Sequence, residues 1–417
     1  MSDADLRRDP LKRVTGTRLD GIDWLRGLVM VVMLLDHTRD FVLENAYFSD
    51  PLDPSTTTPF LYFTRWITHL CAPTFVLLAG TSTGLQALRG VSRASLTRFL
   101  WTRGLWLVFL ELTVVRALVY FNVDPSLLAS LQVIWAIGCS MLALSVLIRL
   151  PMRMVGGIGL AIIVGHNLLD RVQVPMWQGP DSPLPTALQS LWMLLHQGGF
   201  FPLGAPSAPV VHVFYPFLPW IGVIAAGYAF AELFELEPAR RKRTLTLLGL
   251  SMLALVVALR LGHLYGDPLA WSAQPSTART IMSFMNVQKY GPSLQFLLAT
   301  LGLATLCLAW LEGRALSSWA SRALVTFGRV PMFFYLLQWA TAHIAGILVS
   351  ALLGKSIAPY FMNDVDFFAL DPLPDMGGPL WMVYACWALG TLLLYFPCRW
   401  YAGVKARRKD LAILRYL

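Results

Sequence analysis

Long apolar segments alternate with short charged ones along nearly the whole chain. Most of the apolar segments are near or above the roughly 20 residues that a helix needs to cross a bilayer. The pattern therefore predicts an all-α, polytopic membrane helix bundle with about ten transmembrane helices. The predicted spans are residues 22–43, 61–87, 97–121, 127–148, 154–171, 210–234, 244–263, 292–312, 324–352 and 378–402. Residues 188–203 form a shorter segment with two glycines towards its end, which favours a re-entrant or interfacial segment.

The first predicted span carries an unusual stripe of polar residues. Arg26, Met30, Met33, His37 and Asp40 recur at steps of three or four, so a helix places them on one face. Arg26 and His37 are eleven residues apart, or roughly 16 Å along a helix. Charges at this depth cost a few kcal/mol each. The stripe favours a polar path across the membrane over a plain anchor whose end charges snorkel.

Charge in the loops predicts the orientation. Basic residues concentrate in alternate loops, as in the run RRKR at 240–243, which indicates that both termini are cytoplasmic. We predict a cytoplasmic tail at 1–21, a membrane domain at 22–402 and a basic cytoplasmic tail at 403–417. Because the basic residues are dispersed between apolar segments, the net charge of +9 does not predict a nucleic-acid partner.

Composition agrees with a membrane protein. The chain is 56% hydrophobic and 14% charged, with a mean hydropathy of +0.58, whereas a soluble domain is about a quarter charged. The five cysteines form no CxxC pair and are predicted to be small core residues.

All seven histidines fall in the predicted outer half. They are His37, His69, His166, His196, His212, His263 and His343. Together they favour a polar outer vestibule in which a proton is accepted near neutral pH. A metal site is the competing use of clustered histidines. The only ligand-like spacing is His166 with Asp170 one turn on, so no metal is predicted.

The inner half is marked by arginines. Arg26 and Arg329 lie just within apolar runs, which favours contact with an anionic, phosphate-bearing ligand from the cytosol. Arg98 and Arg103 are interpreted as ordinary positive-inside residues.

The outer start of the eighth predicted span gathers four polar residues: Asn286, Lys289, Tyr290 and Ser293. They either bind a substrate or anchor the helix at the membrane–water interface, and both interpretations stay open.

Five motifs, in order, carry a family resemblance. They are RLDGIDWLRGLVMVVMLLDHTRDF (18–41), HLCAPTFVLLAGTS (69–82), HVFYPFLPWIGVIAAGY (212–228), SFMNVQKYGPSLQFLLATLG (283–302) and FGRVPMFFYLLQW (327–339). The chain resembles bacterial membrane proteins related to heparan-alpha-glucosaminide N-acetyltransferase, within the wider transmembrane acyltransferase group. The resemblance implies an inner-membrane enzyme that moves an acyl group, usually acetyl, from cytosolic acyl-CoA to a hydroxyl or amine, typically of a sugar, on the outer side. Membrane lipid and a glycan or small-molecule acceptor are the implied partners, and a homodimer is left open.

The resemblance also implies residue roles. Arg26 corresponds to the arginine on the acyl-CoA side, where we also place Arg329 and Tyr335. His37 corresponds to the catalytic polar residue at the outer end of the first helix, oriented by Asp36 or His69. His37 then serves as the general base of direct transfer, with a covalent acyl-histidine step left open.

The resemblance also covers positions in two later motifs. Asn286, Lys289, Tyr290 and Ser293 match motif positions and are predicted to bind the acceptor. Similar proteins often have histidine where Gln338 stands, so a catalytic group on that helix is not predicted.

Two other classes of protein fit part of the pattern. A transporter or flippase for a polar or lipid-linked sugar would use the same polar path, but transporters often carry internal repeats and the two halves of this chain do not repeat. A non-catalytic scaffold would have few, unaligned polar groups within its helices, unlike the Arg26–His37 stripe.

Overall fold

The computed structural model describes residues 17–44, 46, 49–124, 126–179, 181–368, 370, 374–408, 410–411, 414 and 416. Of the predicted N-terminal tail 1–21, residues 1–16 lie outside the described residues, as does part of the predicted C-terminal tail 403–417.

The described chain is mostly helical. The helices are α1 (Thr17–Val42), α2 (Pro59–Trp66), α3 (Cys71–Leu88), α4 (Arg93–Leu110), α5 (Arg116–Tyr120), α6 (Val133–Leu147), α7 (Met152–Gly165), α8 (Ala187–Trp192), α9 (Leu218–Phe230), α10 (Pro238–Leu261), α11 (Thr277–Met285), α12 (Leu294–Leu311), α13 (Trp319–Arg329), α14 (Pro331–Leu352), α15 (Asp364–Phe368) and α16 (Leu380–Arg407). The strands are β1 (Leu127–Leu131), β2 (Gly199–Pro202) and β3 (Val210–Val213). Wider π-helical turns cover Glu111–Val115 and Met193–Gln197, and 3-10 turns include Ile67–Leu70 and His166–Arg171.

Six helical segments of the described chain are long and apolar enough to cross a membrane, which makes this a multi-pass membrane protein. They are Met152–Arg171, Leu218–Glu235, Pro238–Leu261, Leu294–Leu311, Pro331–Leu352 and Leu380–Arg407. The predicted number of ten spans and the cytoplasmic position of both termini stay predictions. Helix α1 has 26 residues, but its charged side chains set it apart from these six.

The predicted all-α class needs a correction, because a three-stranded sheet joins the helices. Strand β3 pairs in parallel with β1 and antiparallel with β2. We predicted that spans at 127–148 and 210–234 are helical throughout, but β1 and β3 form their first residues. Hydrophobicity alone cannot distinguish a short buried strand from the start of a buried helix. The segment predicted to be re-entrant, 188–203, consists of most of α8, a π-helical turn and β2.

Proline sets one further boundary. We predicted a single helix over 324–352, but α13 ends at Arg329 and α14 begins at Pro331. Proline favours the first turn of a helix and disfavours helical backbone in the residue before it. The break places Arg329 at a helix end.

Helix α1 lies at the centre of the bundle and packs against α3, α13, α14 and α16. Two glycines bring α1 and α13 into backbone contact. A Cβ added to Gly27 would lie 1.8 Å from the carbonyl oxygen of Leu324, and one added to Gly328 would lie 1.8 Å from that of Asp23. Small residues permit such close approach of membrane helices. The crossing brings Arg26 beside the end of α13.

Candidate active site

Residues of the polar stripe on α1 line two cavities. We call the smaller one the basic cavity; it has a volume of about 270 Å³ and is lined by Arg26, Met30 and Met33. The larger one, called here the large cavity, has a volume of about 1450 Å³ and is lined by Asp36 and His37. The two ends of the polar stripe therefore face different cavities.

The basic cavity combines positive charge with an apolar interior. Its basic lining residues are Arg26, Arg103, Arg329 and Lys405. No carboxylate is among the described residues that line it, and most of the others are apolar. Guanidinium and ammonium groups bind phosphate and carboxylate oxygens. The cavity suits a ligand with an anionic end and a slender, less polar chain.

Its two predicted arginines are held differently. Arg26 donates hydrogen bonds to the Asp23 carboxylate at 2.8 Å, to Ser82 Oγ at 3.1 Å and to the Gly328 carbonyl at 3.1 Å. The Arg329 side chain is 57% exposed and pairs with Asp20 at 2.9 Å. Arg26 is thus a fixed group, whereas Arg329 lies at a solvent-accessible end.

In the large cavity, Asp36 is the centre of a buried charge network. Arg65 Nη1 donates to both carboxylate oxygens, at 2.7 and 2.6 Å. Arg39 lies 3.1 Å from the same carboxylate, and Lys289 Nζ lies 3.3 Å from it. Buried charges are stable only when they are paired and hydrogen-bonded. The network therefore fixes the position of Asp36 on α1 relative to Arg65 and Lys289.

His37 has a defined ring orientation. Its ring stacks on Trp339, with centroids 3.6 Å apart and an interplanar angle of 17°. The side chain is buried, and its Nδ1 has no hydrogen-bond partner within the described chain. Asp36 accepts its hydrogen bonds from other groups, and none of those described comes from His37. The Trp339 ring, rather than a carboxylate, is the described contact that orients His37.

His69 lies apart from both cavity linings. It is fully buried, packs edge-on against Phe296 with centroids 5.3 Å apart, and neither ring nitrogen is paired within the described residues. No hydrogen bond among the described residues links it to His37. Its predicted role in orienting His37 stays a prediction.

Three of the four residues predicted to bind the acceptor line the large cavity: Asn286, Lys289 and Tyr290. Ser293 is not part of that lining. It is fully buried at the start of α12, where its Oγ accepts from the Phe296 amide at 2.9 Å and donates to Asp267 at 2.6 Å. A serine before an apolar helix is a favoured N-cap. Burial raises the pKa of Asp267, its partner in the loop between α10 and α11.

Helix α14 repeats the arrangement seen on α1. Tyr335, one of the predicted acyl-CoA residues, lines the basic cavity, and Trp339, one turn later, lines the large cavity. On α1, Met33 and His37 are related in the same way. Four residues of helix span roughly 6 Å. On both helices, the change from one cavity to the other occurs within one turn.

Gln338 lies between Tyr335 and Trp339 in the sequence of α14. It is fully buried, and both its amide atoms lack hydrogen-bond partners within the described residues.

Three residues of this region are not among the predicted site residues. Arg65 is the first, although its Nη1 lies 2.6 Å from Asp36 Oδ2. Its position within an apolar span was the available signal. Trp339 carried no signal, since stacking depends on two helices that are distant in sequence. Arg103 was interpreted as a positive-inside residue, but it lines the basic cavity.

The histidine vestibule is smaller than predicted. Of the seven histidines, all within the described part of the chain, His37 and His212 line the large cavity, and His212 Nδ1 lies 3.2 Å from Asp364. His343 instead bonds the carbonyls of Leu118 and Tyr360 within the bundle.

A helix bundle with membrane-length segments and two cavities on one pair of helices defines a multi-pass membrane protein with an internal site. The chain belongs to the family described as Heparan-alpha-glucosaminide N-acetyltransferase, catalytic, whose model matches residues 18–263. This confirms the predicted resemblance and indicates acetyl transfer at a membrane. The matched range includes Arg26 and His37. No curated protein matches the chain.

Proposed function

We propose that the protein is a membrane acetyltransferase that takes an acetyl group from cytosolic acetyl-CoA and transfers it to a hydroxyl or amine of a sugar-like acceptor. The observation that carries the proposal is that, on both α1 and α14, a residue lining the basic cavity and a residue lining the large cavity lie one helical turn apart. A donor in the basic cavity and an acceptor in the large cavity would have their reactive ends within a few ångströms of each other, as direct transfer requires.

The basic cavity would bind the donor. At about 270 Å³ it accommodates a slender arm but not a whole nucleotide, so the phosphates of acetyl-CoA would remain at the solvent-accessible end near Arg329. Charge-assisted hydrogen bonds from arginine are among the stronger phosphate contacts. The apolar interior would carry the pantetheine arm towards Met33 and Tyr335, with the thioester at its end.

His37 would act as the general base. In the proposed step, His37 removes a proton from the acceptor hydroxyl or amine while the acceptor atom attacks the thioester carbonyl carbon. A bond forms between that atom and the acetyl carbon, and the carbon–sulfur bond breaks. The proton held on His37 then passes to the departing thiolate, giving free CoA and the acetylated acceptor.

The large cavity would bind the acceptor. It presents aromatic rings, including Trp177 and Tyr215, and hydrogen-bonding groups, including Asn286 and Lys289. Ligand sites that combine aromatic walls with a few placed polar groups suit ring-shaped, hydroxylated molecules. These features support a sugar-like acceptor on the side that the loop charges predict to be outside.

Acetyl-CoA binding tests the donor site. We expect purified protein in lipid nanodiscs to bind acetyl-CoA, with binding weakened about tenfold or more in Arg26→Ala, because a loss of about 1.4 kcal/mol corresponds to tenfold. Arg329→Ala should weaken binding by a smaller factor, since its side chain is more exposed. The matched control is Arg322→Ala, an exposed arginine on the same helix that is not part of the cavity lining.

Thermal unfolding of each variant separates loss of binding from loss of fold. Equal binding by all four proteins would contradict the donor site. Absence of binding by well-folded wild-type protein would contradict the acetyltransferase and favour transport of a polar or lipid-linked substrate through the same path.

A further inference from the structure

We propose that His166, Asp170 and His196 bind one divalent transition-metal ion, of the zinc type, next to the wall of the large cavity. Each residue offers one ligand atom, and the three atoms all lie within 4.8 Å of one another. This site is separate from the basic cavity and from the His37 side chain.

Two elements bring the three residues together. His166 and Asp170 are one turn apart in the 3-10 turn that follows α7, and His196 lies in the π-helical turn Met193–Gln197. The sequence reveals only the first pair, because His196 lies thirty residues beyond His166. That separation is why the sequence predicts no metal.

His166 is a buried side chain that offers two ring nitrogens as ligand atoms. The residue is 3% exposed, and neither ring nitrogen has a hydrogen-bond partner among the described residues. A buried polar group without a partner is destabilising. Its ring centroid is 5.9 Å from that of His196, which makes the two imidazoles neighbours. A metal ion bound there would satisfy a nitrogen of each.

The carboxylate is already held in a ligand-like orientation. Asn167 Nδ2 donates to Asp170 Oδ2 at 2.8 Å, while Asp170 Oδ1 lies 2.9 Å from His196 Nε2. Asn167 is itself fixed, because its Oδ1 accepts from the Leu294 amide at 2.8 Å. Supporting hydrogen bonds of this kind orient the ligands in metal sites.

The ligand set defines the class of ion. Two imidazole nitrogens and one carboxylate oxygen suit zinc and neighbouring transition metals better than calcium or magnesium. With metal–ligand bonds of about 2.0–2.2 Å, ligand atoms in a tetrahedral site lie about 3.3–3.6 Å apart. The widest of the three separations, which is within 4.8 Å, would therefore close by about 1 Å, and His166 can turn without breaking a described hydrogen bond. The hydrogen bond between Asp170 Oδ1 and His196 Nε2, at 2.9 Å, would be replaced by a bond from each atom to the metal. Three protein ligands leave a fourth position for water or another donor.

The location suggests what the ion does. The π-helical turn that carries His196 ends at Gln197, which lines the large cavity together with the next two residues, Gly198 and Gly199. A metal ion would tie this part of the cavity wall to the end of α7. We infer a positioning role for the ion, holding the wall in place.

Metal content gives a direct test. Chelator-treated protein would be dialysed against Zn²⁺ and the bound zinc measured by mass spectrometry. We expect one equivalent in the wild type, and its loss in His166→Ala and in His196→Ala. The control is His263→Asn, an exposed histidine stacked on Trp271 outside the proposed site; asparagine tolerates its positive φ of 47°.

A second measurement on the wild type covers the case in which the variants fold poorly. Zinc should raise the unfolding temperature of chelator-treated wild type, and Co²⁺ bound in its place should give a visible absorption spectrum typical of a low-coordinate site. Zinc binding that survives both ligand substitutions, zinc binding lost equally in His263→Asn, or the lack of any zinc-dependent stabilisation of the wild type would overturn the proposal. None of these measurements uses acetyl transfer, so they are independent of the proposed function.

Discussion

The two cavities differ in how their charges are balanced. Four basic side chains line the basic cavity, and the acids that pair with two of them, Asp20 and Asp23, lie outside its lining. In the large cavity, Asp36 and its partners Arg39, Arg65 and Lys289 form part of the lining together. One cavity offers positive charge to a ligand, whereas the other has largely satisfied its charges internally.

This difference separates two uses of buried charge. The basic cavity has no carboxylate among its described lining residues, so a bound anion can neutralise its positive charge. That charge therefore contributes to the affinity for an anionic ligand. A carboxylate surrounded by three cations is already neutralised, so it holds helices and loops in position around a less charged ligand. We therefore expect salt to weaken donor binding more than acceptor binding.

The largest expected effect is on the rate of acetyl transfer, the step in which we propose His37 as the general base. His37→Ala should lower acetyl transfer about 10²–10⁴-fold, the usual contribution of a general base, while acetyl-CoA binding stays close to that of the wild type. Turnover and binding would be measured on the same preparation, with His263→Asn as the control. Full activity in His37→Ala would rule out the proposed mechanism, and equal losses of binding and turnover would place His37 in the donor site instead.

The second effect concerns the charge network of the large cavity. Asp36→Asn leaves Arg65 and Lys289 without their carboxylate, and breaking a buried ion pair costs about 3–5 kcal/mol of unfolding free energy. The matched control is Glu312→Gln, which breaks the buried pair with Arg241 at 2.6 Å outside both cavity linings. Both variants should unfold more easily, but only Asp36→Asn should raise the KM for the acceptor. Equal acceptor KM values in the two variants would contradict a role for the network in shaping the large cavity.

The smallest effect tests where the acceptor site ends. Ser293→Ala should cost about 1 kcal/mol of stability through loss of an N-cap and about as much again through loss of the hydrogen bond to Asp267. It should not change the acceptor KM, because Ser293 is not part of the cavity lining. Ser318→Ala removes the exposed cap of α13 and provides the comparison. A raised acceptor KM in Ser293→Ala alone would show that the acceptor site extends to the start of α12.

Much of the site could be predicted from local pattern. The Arg26–His37 stripe follows from helical periodicity within one segment, and the structure places its two ends at different cavities. Long-range partners could not be predicted in this way. Arg65 meets Asp36 across 29 residues, and Trp339 meets His37 across about three hundred, so both contacts depend on helix packing. Ser293 occupies a motif position that the structure places at a helix N-cap outside the lining of the large cavity, and its predicted role in binding the acceptor stays a prediction.

By itself, the sequence determined the membrane class, the family and most helical segments, because apolar length and 3.6-residue periodicity act within one segment of chain. The pairing of the apolar residues at 127–131 and 210–213 as strands emerges from the folded chain. The folded chain also determines which polar groups share a cavity and that His196 lies beside His166 and Asp170. Those outcomes depend on where separate segments meet, and that is set by backbone contacts such as those of Gly27 and Gly328.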